Sequence, residues 1–221
     1  MKLDGVQHVI WDWNGTLLDD VEACVGAINP MLRRRGLPCL RPASYRARFG
    51  FPVKDYYAAL GFDMASEDWD ALAKEFHRHY ARTSPSAPLR AGAKATLRLL
   101  RARGIPMSVL SASERSLLRR MLRRHGIDAF FEHVYGLDDL YAGSKLELGR
   151  RLVKSIGVAP DRILLAGDTQ HDFEVARDMR CRCVLMTGGH QSAPRLALCG
   201  CAMIRSPAGI SRLLFRARLA A

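Results

Sequence analysis

Short apolar runs alternate with amphipathic helical segments along most of this 221-residue chain. Most of the runs are rich in branched apolar residues, which is typical of buried strands. They lie at residues 6–11, 105–110, 131–135, 162–166, 182–186 and 202–204. Strands that are separated by helices pair in parallel, because a parallel connection needs a crossover of a dozen or more residues. The sequence therefore predicts an α/β fold with a doubly wound parallel sheet.

One long stretch breaks this alternation. Between the first and second predicted strands, residues 43–82 carry helical patterns with no strand-like run, and Ser66 is expected to begin one of the helices with a capping box. Residues 83–88 follow, and their serine and proline content is typical of a linker. We therefore expect an α/β core, formed by residues 1–18 and 86–221, and an inserted helical cap, formed by residues 19–85.

Composition narrows the class of protein. Hydrophobic residues make up 48% of the chain, which is normal for a globular protein. No apolar run reaches the ~18 to 20 residues that a membrane span needs. The amino-terminal residues also lack the layout of a secretory signal. The expected location is therefore the cytoplasm, without a membrane partner.

The formal net charge of +12 raises the question of a nucleic-acid partner. Arginines cluster at residues 33–35 and 119–124, on stretches with helical patterns, where a solvated helix face is the ordinary explanation. A basic surface alone gives only non-specific attraction to nucleic acid. We do not expect a nucleic-acid partner, and the sequence leaves the oligomeric state open.

Polar motifs follow three of the predicted strands, and a fourth opens a helix. Asp12 comes directly after the first strand, in the segment Asp12-Trp13-Asn14-Gly15-Thr16, and Ser111 comes directly after the second. Lys145 opens a helix after residues 142–144, and Asp168 and Asp172 follow the strand that ends at residue 166. Open α/β sheets bind ligands at the carboxyl ends of their strands. An unpaired carboxylate is also costly to bury. These motifs are therefore candidates for one functional site.

Each motif has an ordinary explanation when it is taken alone. Ser111 could cap the next helix, Lys145 could be a surface residue, and Asp168 and Asp172 could be acids that favour a helix amino terminus. Taken together, the four motifs agree in identity, order and placement. In this combination the chain resembles the haloacid dehalogenase superfamily, most closely its phosphoglycolate-phosphatase-like members. The turn Phe49-Gly50-Phe51-Pro52, within the expected cap, is similar to that group too.

The resemblance implies a phosphatase that acts on a small phosphorylated metabolite. Asp12 would be the nucleophile and would form an aspartyl-phosphate, which water then cleaves. Mg²⁺ would be held by the carboxylates of Asp12 and Asp168 and by the backbone carbonyl of Asn14. Asp172 would act on the metal through water or by orienting another ligand.

The same resemblance implies which residues hold the phosphate. Ser111 and Ala112, together with Gly15 and Thr16, would surround the phosphoryl group with hydroxyl and backbone amide donors. Lys145 would compensate negative charge and steady the nucleophile, so it is a candidate catalytic residue.

Asn14 is the departure from the family pattern. Relatives that cleave phosphate monoesters usually carry an aspartate here, which protonates the leaving oxygen and later activates water, and asparagine cannot transfer a proton in that way. Three interpretations stay open. The protein could be a phosphatase that favours better leaving groups or takes its proton elsewhere. It could cleave carbon–phosphorus bonds, as phosphonoacetaldehyde hydrolases do, with Lys54 as a Schiff-base residue. It could also bind phosphate compounds with little turnover.

Overall fold

The structure, a computed structural model, describes residues 5–139 and 145–215. Within these ranges one sheet of six parallel strands has the order β3-β2-β1-β4-β5-β6. The strands are β1 (His8–Trp11), β2 (Met107–Glu114), β3 (His133–Leu137), β4 (Ile163–Gly167), β5 (Arg182–Met186) and β6 (Ala202–Ile204). The predicted doubly wound parallel sheet is confirmed. In this order the chain changes direction between β1 and β4, where such sheets form a binding crevice.

Helices cover both faces of the sheet. They are α1 (Val21–Arg34), α2 (Pro42–Arg48), α3 (Val53–Leu60), α4 (Trp69–Thr83), α5 (Ala93–Ala102), α6 (Arg115–Arg124), α7 (Leu146–Ile156), α8 (Gln170–Asp178), α9 (Ala193–Ala197) and α10 (Ala208–Phe215). Successive residues of a strand point to opposite faces. Accordingly, Val9 and Trp11 belong to the core beneath α5, α6 and α10, whereas Ile10 belongs to the core beneath α7, α8 and α9.

Helices α1 to α4 lie between β1 and β2 in the chain and pack on one another. Met31 and Leu32 of α1 and Leu72 of α4 are buried in this packing. Arg35, just after α1, adds an ion-pair cluster, since its guanidinium donates to Glu67 Oε2 at 2.7 Å and to Glu75 Oε2 at 2.9 Å. The block is thus held by apolar contacts inside and by paired charges at one end.

Three local predictions were wrong. Strand β2 does not end before Ser111 but continues to Glu114, because a register shift after Leu110 lets it pair with β3 again. Helix α4 is capped by Asp68 rather than by Ser66, since Asp68 Oδ1 accepts from the backbone N–H of Asp70 at 2.8 Å. The sequence pattern predicts a helix over residues 173–179, but helix α8 begins at Gln170.

Some expectations fall partly outside the described residues. The segment 142–144 before Lys145 lies there, and the sequence also predicts a basic helix over residues 207–219 whose last residues lie there. Across the described parts of the chain, none of the helices has the length and apolar character to cross a bilayer.

Candidate active site

Four of the residues singled out by sequence meet at one edge of the sheet. Asp12 directly follows β1 and Asp168 directly follows β4, so they lie on the two sides of the crevice. Lys145 precedes the first turn of α7, and Asp172 lies in the first turn of α8. The carboxylate oxygens of Asp12, Asp168 and Asp172 offer ligand atoms within 4.8 Å of one another, and all three residues are buried.

Lys145 lies between two of these carboxylates. Its Nζ is 2.6 Å from Asp12 Oδ1 and 2.6 Å from Asp172 Oδ1, and its side chain is 3% exposed. Burial alone would lower the pKa of Lys145, but the two carboxylates outweigh burial and raise this pKa above its usual range. The side chain therefore stays an ammonium ion at any physiological pH.

The cluster holds more negative than positive charge. Burial raises the pKa of Asp12 well above its ordinary value, against the opposing effect of Lys145, and the other two acids add to the increase. Burial also raises the pKa of Asp168 to about 6. For Asp172 burial acts in the same direction, but Lys145 and hydrogen bonds outweigh it and lower the pKa. Three carboxylates share one ammonium, so a further cation would stabilise them. Their all-oxygen donor set is the kind that Mg²⁺ prefers.

Hydrogen bonds fix the orientation of Asp168 and Asp172. Thr16 Oγ1 donates to Asp168 Oδ1 at 2.9 Å, and the backbone N–H of His190 donates to Asp168 Oδ2 at 2.5 Å. Asp172 Oδ2 accepts from Thr169 Oγ1 at 2.7 Å and from the backbone N–H of Thr169 at 2.9 Å. These donors hold the carboxylates in place without using all of their lone pairs.

Glycines allow the backbone to pass close to Asp168. Gly15 has φ of +73°, and a Cβ there would lie 2.3 Å from Asp168 Oδ2. A Cβ on Gly189 would lie 2.2 Å from the same oxygen. Both distances are far below van der Waals contact, so a side chain at either position would displace the carboxylate.

The residues predicted to hold phosphate are divided between two places. Ala112 lines the cavity that adjoins Asp12, whereas Ser111, Gly15 and Thr16 do not. Ser111 is buried, and its Oγ accepts from the backbone N–H of Ser113 at 3.0 Å. Thr16 contacts Asp168 instead, as described above. Contact of these residues with a phosphoryl group stays a prediction.

Asn14 is held by three side chains. Its Nδ2 donates to Asp20 Oδ2 at 2.7 Å and to Tyr80 Oη at 3.0 Å, and its Oδ1 accepts from Ser113 Oγ at 2.6 Å. An aspartate here would set a second carboxylate against Asp20, where like charges repel. An amide satisfies all three partners, which accounts for Asn14 within this structure.

Sequence reasoning missed the group around Asp20. This buried carboxylate accepts from the backbone N–H of Gly15 at 2.9 Å and from Tyr80 Oη at 2.7 Å, and His190 Nε2 lies 3.1 Å from it. Burial would lower the pKa of His190, but Asp20 outweighs burial and raises it to about 9. Burial would raise the pKa of Asp20, but the nearby His190 and the hydrogen bonds lower it. His190 follows β5 after two glycines, and that position at the same sheet edge was the available signal.

A cavity of about 140 Å³ adjoins Asp12 and Asn14. Helices α2, α3 and α4 and the turn at residues 49–52 supply its aromatic walls. Lys54 is exposed and is not part of its lining.

Comparisons with known proteins identify the family and the fold of this chain. A family model described as haloacid dehalogenase-like hydrolase matches residues 9–186. The tyrosine-protein kinase PtkA of Mycobacterium tuberculosis is 28% identical over 171 residues, which are 77% of this chain and 58% of the relative. The chain thus spans 58% of the length of that relative.

Other relatives match over most of their length. The phosphoglycolate phosphatase of Yersinia pestis is 25% identical over 209 residues, which cover 89% of this chain and 88% of the relative. A haloacid dehalogenase-like family hydrolase of known structure from Streptococcus pneumoniae superposes with a TM-score of 0.80. That superposition covers 94% of this chain and 97% of the other at 20% identity, and it therefore concerns the fold.

Proposed function

Because this chain belongs to the haloacid dehalogenase-like hydrolases, we propose that it is a phosphatase with Asp12 as its nucleophile. The substrate would be a small phosphate monoester. The observation that supports this most is the position of Lys145, which lies 2.6 Å from both Asp12 and Asp172 at the end of the sheet. That arrangement orients the Asp12 carboxylate beside the cavity, and the ammonium favours its ionised form against the effect of burial. An ionised and oriented carboxylate is what in-line attack on phosphorus needs.

The reaction proceeds in two transfers. In the first, a carboxylate oxygen of Asp12 forms a bond to phosphorus, and the bond from phosphorus to the ester oxygen breaks, its electron pair leaving with that oxygen. In the second, a water oxygen attacks phosphorus and the bond to Asp12 breaks, which restores the carboxylate. The proton lost by water balances the proton taken up by the leaving alkoxide or phenoxide, so one water is consumed for each ester.

The donor set described above fits Mg²⁺. The carboxylates of Asp12 and Asp168 and the backbone carbonyl of Asn14 would hold it, with Thr16 keeping Asp168 in position. When bound, the ion supplies positive charge that stabilises the phosphoryl oxygens in the transition state.

Residues 19–85 would act as a cap over a core formed by residues 1–18 and 86–221. In support, α2 and the turn that follows it contact the loop after β5. Arg46 Nε donates to the carbonyl of Gly189 at 2.9 Å, and Gln191 Nε2 donates to that of Phe49 at 3.0 Å. Tyr45 Oη lies 2.9 Å from His190 Nδ1. Opening of such contacts would admit substrate, and their closure would exclude bulk water.

The alternative of carbon–phosphorus bond cleavage loses its support. That chemistry needs an amine next to the substrate, and Lys54 is exposed and outside the cavity lining. The other alternative is a protein that binds phosphate compounds with little turnover, and a measurement of phosphatase activity decides it.

Replacing the nucleophile tests the proposal. Asp12→Asn is expected to lower kcat by more than about 10⁴-fold, as removal of other nucleophiles does. Asp19→Asn is the matched control, because Asp19 is an exposed acid of the same segment and should be dispensable. Removing Mg²⁺ with a chelator should abolish turnover, and adding it back should restore turnover. Activity that survives in Asp12→Asn or in the chelated protein would overturn the mechanism.

A further inference from the structure

Aromatic side chains form a large part of the lining of the cavity next to Asp12. Its lining includes Phe49, Phe51, Tyr56, Trp69, Phe76 and Tyr80. Several of these rings already pack edge-to-face, as Phe49 does on Tyr56, with ring centroids 5.3 Å apart. Phe49, Phe51, Trp69 and Phe76 are only partly buried, so each keeps part of its side-chain surface uncovered.

The size of the cavity fits one aromatic ring. Its volume is about 140 Å³. A protein cavity of about 150 Å³ with an apolar lining is known to take up benzene. A ring that enters between other rings can form the offset or edge-to-face contacts that aromatic groups prefer.

The charges of the lining disfavour a substrate with a second anionic group. Among the described residues, Lys145 is the only lysine or arginine in the lining, and its ammonium is paired with Asp12 and Asp172. His190 is paired with Asp20, and His77 packs edge-on against Phe76, with ring centroids 5.6 Å apart. A carboxylate held among these rings would lose its hydration without gaining a dedicated cation, which is costly.

Asn14 limits the leaving group independently of the cavity. Its amide is fixed by Asp20, Tyr80 and Ser113 and has no proton to give to a departing oxygen. A phenol ionises with a pKa of about 10, as the tyrosine side chain does. An aliphatic alcohol is nearly as reluctant to ionise as water, whose pKa is about 16. A phenoxide can therefore leave without a proton donor, whereas an alkoxide leaves poorly.

Together, the aromatic cavity and the amide at position 14 define a substrate class. We infer that the substrate is a small aryl phosphate, whose ring occupies the cavity while its phosphoryl group meets Asp12. This inference rests on the proposed phosphatase activity. The phosphorus–oxygen bond breaks with its electron pair on the phenoxide oxygen, which then takes a proton from solvent.

Three small phosphate esters and one acyl phosphate separate the two components of this inference. Phenyl phosphate has the ring and a good leaving group, and benzyl phosphate has the ring with an alkoxide leaving group. Acetyl phosphate has a good leaving group without a ring, and 2-phosphoglycolate has neither. We expect kcat/KM for phenyl phosphate to exceed that for 2-phosphoglycolate by at least about 100-fold, because ring burial and leaving group act together. Equal or better use of 2-phosphoglycolate would overturn the inference while leaving the phosphatase activity intact.

A ring in the cavity wall tests recognition of the aromatic group. Phe76→Leu should lower kcat/KM for phenyl phosphate about 3- to 10-fold, since aromatic pairs stabilise by that factor, and should lower kcat/KM for acetyl phosphate less, because acetyl phosphate has no ring. Phe130→Leu is the matched control, because Phe130 is also partly buried but lies outside this cavity. An equal loss with both substrates would contradict ring recognition.

Position 14 tests the leaving-group component. Asn14→Asp should raise kcat for benzyl phosphate about 100-fold and that for phenyl phosphate less than about tenfold, since only an alkoxide needs the proton. Asn14→Asp alone would place two carboxylates against each other, because Asp20 contacts this position. The double variant Asn14→Asp with Asp20→Asn keeps a single carboxylate at these two positions and so guards against misfolding. Equal gains for both substrates in the folded variant would overturn the leaving-group argument. No turnover of any of the four compounds by the wild-type protein would instead overturn the phosphatase activity, and this inference with it.

Discussion

Replacing Lys145 with methionine should destabilise the fold as well as abolish activity. Its ammonium lies 2.6 Å from Asp12 Oδ1 and 2.6 Å from Asp172 Oδ1, and it is 3% exposed. Methionine has a similar length and apolar stem but no charge. The substitution therefore leaves two buried carboxylates without their shared partner.

The size of this loss of stability follows from the distances between the charges and from their burial. At an effective dielectric constant of about 20, Coulomb's law gives about 6 kcal/mol of attraction for charges 2.6 Å apart. Desolvation of the three ions offsets much of this attraction, and breaking a buried pair by removing one partner costs about 3–5 kcal/mol. Lys74 provides the matched control, because it pairs with Asp70 on the surface, where the side chains are 62% and 41% exposed. Lys74→Met should cost less than about 0.5 kcal/mol.

Urea unfolding in the presence of a chelator measures both variants without a bound metal. The free energy of unfolding of Lys145→Met should fall by about 3–5 kcal/mol at about pH 7. Without the ammonium, burial raises the folded-state pKa of Asp12 further. The native state then takes up protons before the unfolded chain does as pH falls. The deficit relative to wild type should therefore shrink towards about pH 5. A loss within about 1 kcal/mol of that of Lys74→Met would refute the reasoning.

Two further predictions concern the metal cluster and the pH dependence of stability. Gly189→Ala should weaken Mg²⁺ binding by at least about tenfold in titration calorimetry, because the added Cβ would lie 2.2 Å from Asp168 Oδ2. Gly26→Ala is the control and should bind Mg²⁺ normally, because its added Cβ would lie 3.3 Å from the nearest atom. Burial, with a smaller effect of His133, lowers the pKa of His8 to about 4. As pH falls, His8 therefore takes up a proton in the unfolded chain before it does so in the folded protein. The free energy of unfolding should then fall by about 2–3 kcal/mol as pH is lowered from about 6.5 to about 4. His8→Asn should remove that slope in urea unfolding, and an unchanged slope would show that other groups cause it.

The sequence was informative about features that depend on local pattern. Buried strands of a parallel sheet are short apolar runs, and the residue after such a strand lies at the carboxyl edge wherever the strand is in the sheet. That rule was enough to bring Asp12 and Asp168 together, whereas Lys145 was assigned to the site from the combination of all four motifs. It was less accurate at Ser111, because whether β2 ends or resumes pairing depends on its partner β3.

The surroundings of Asn14 could not be predicted in the same way. Its partners Asp20, Tyr80 and Ser113 come from three separate elements, and Asp20 in turn meets His190, which is 170 positions away in the chain. The aromatic cavity has a similar origin. Helical periodicity shows which side of α4 is apolar, but it does not distinguish a ring that packs in the interior from one that borders a cavity.

Rapid chemical quench shows whether Asp12 carries the phosphoryl group during turnover. The protein is mixed with radiolabelled phenyl phosphate and Mg²⁺, quenched in acid within a single turnover, and digested so that labelled peptides can be sequenced. We expect an acid-stable, hydroxylamine-sensitive label on Asp12 that forms and decays at the rate of turnover and is absent from Asp12→Asn. Turnover without any protein-bound label, or a label on another residue, would contradict this role of Asp12.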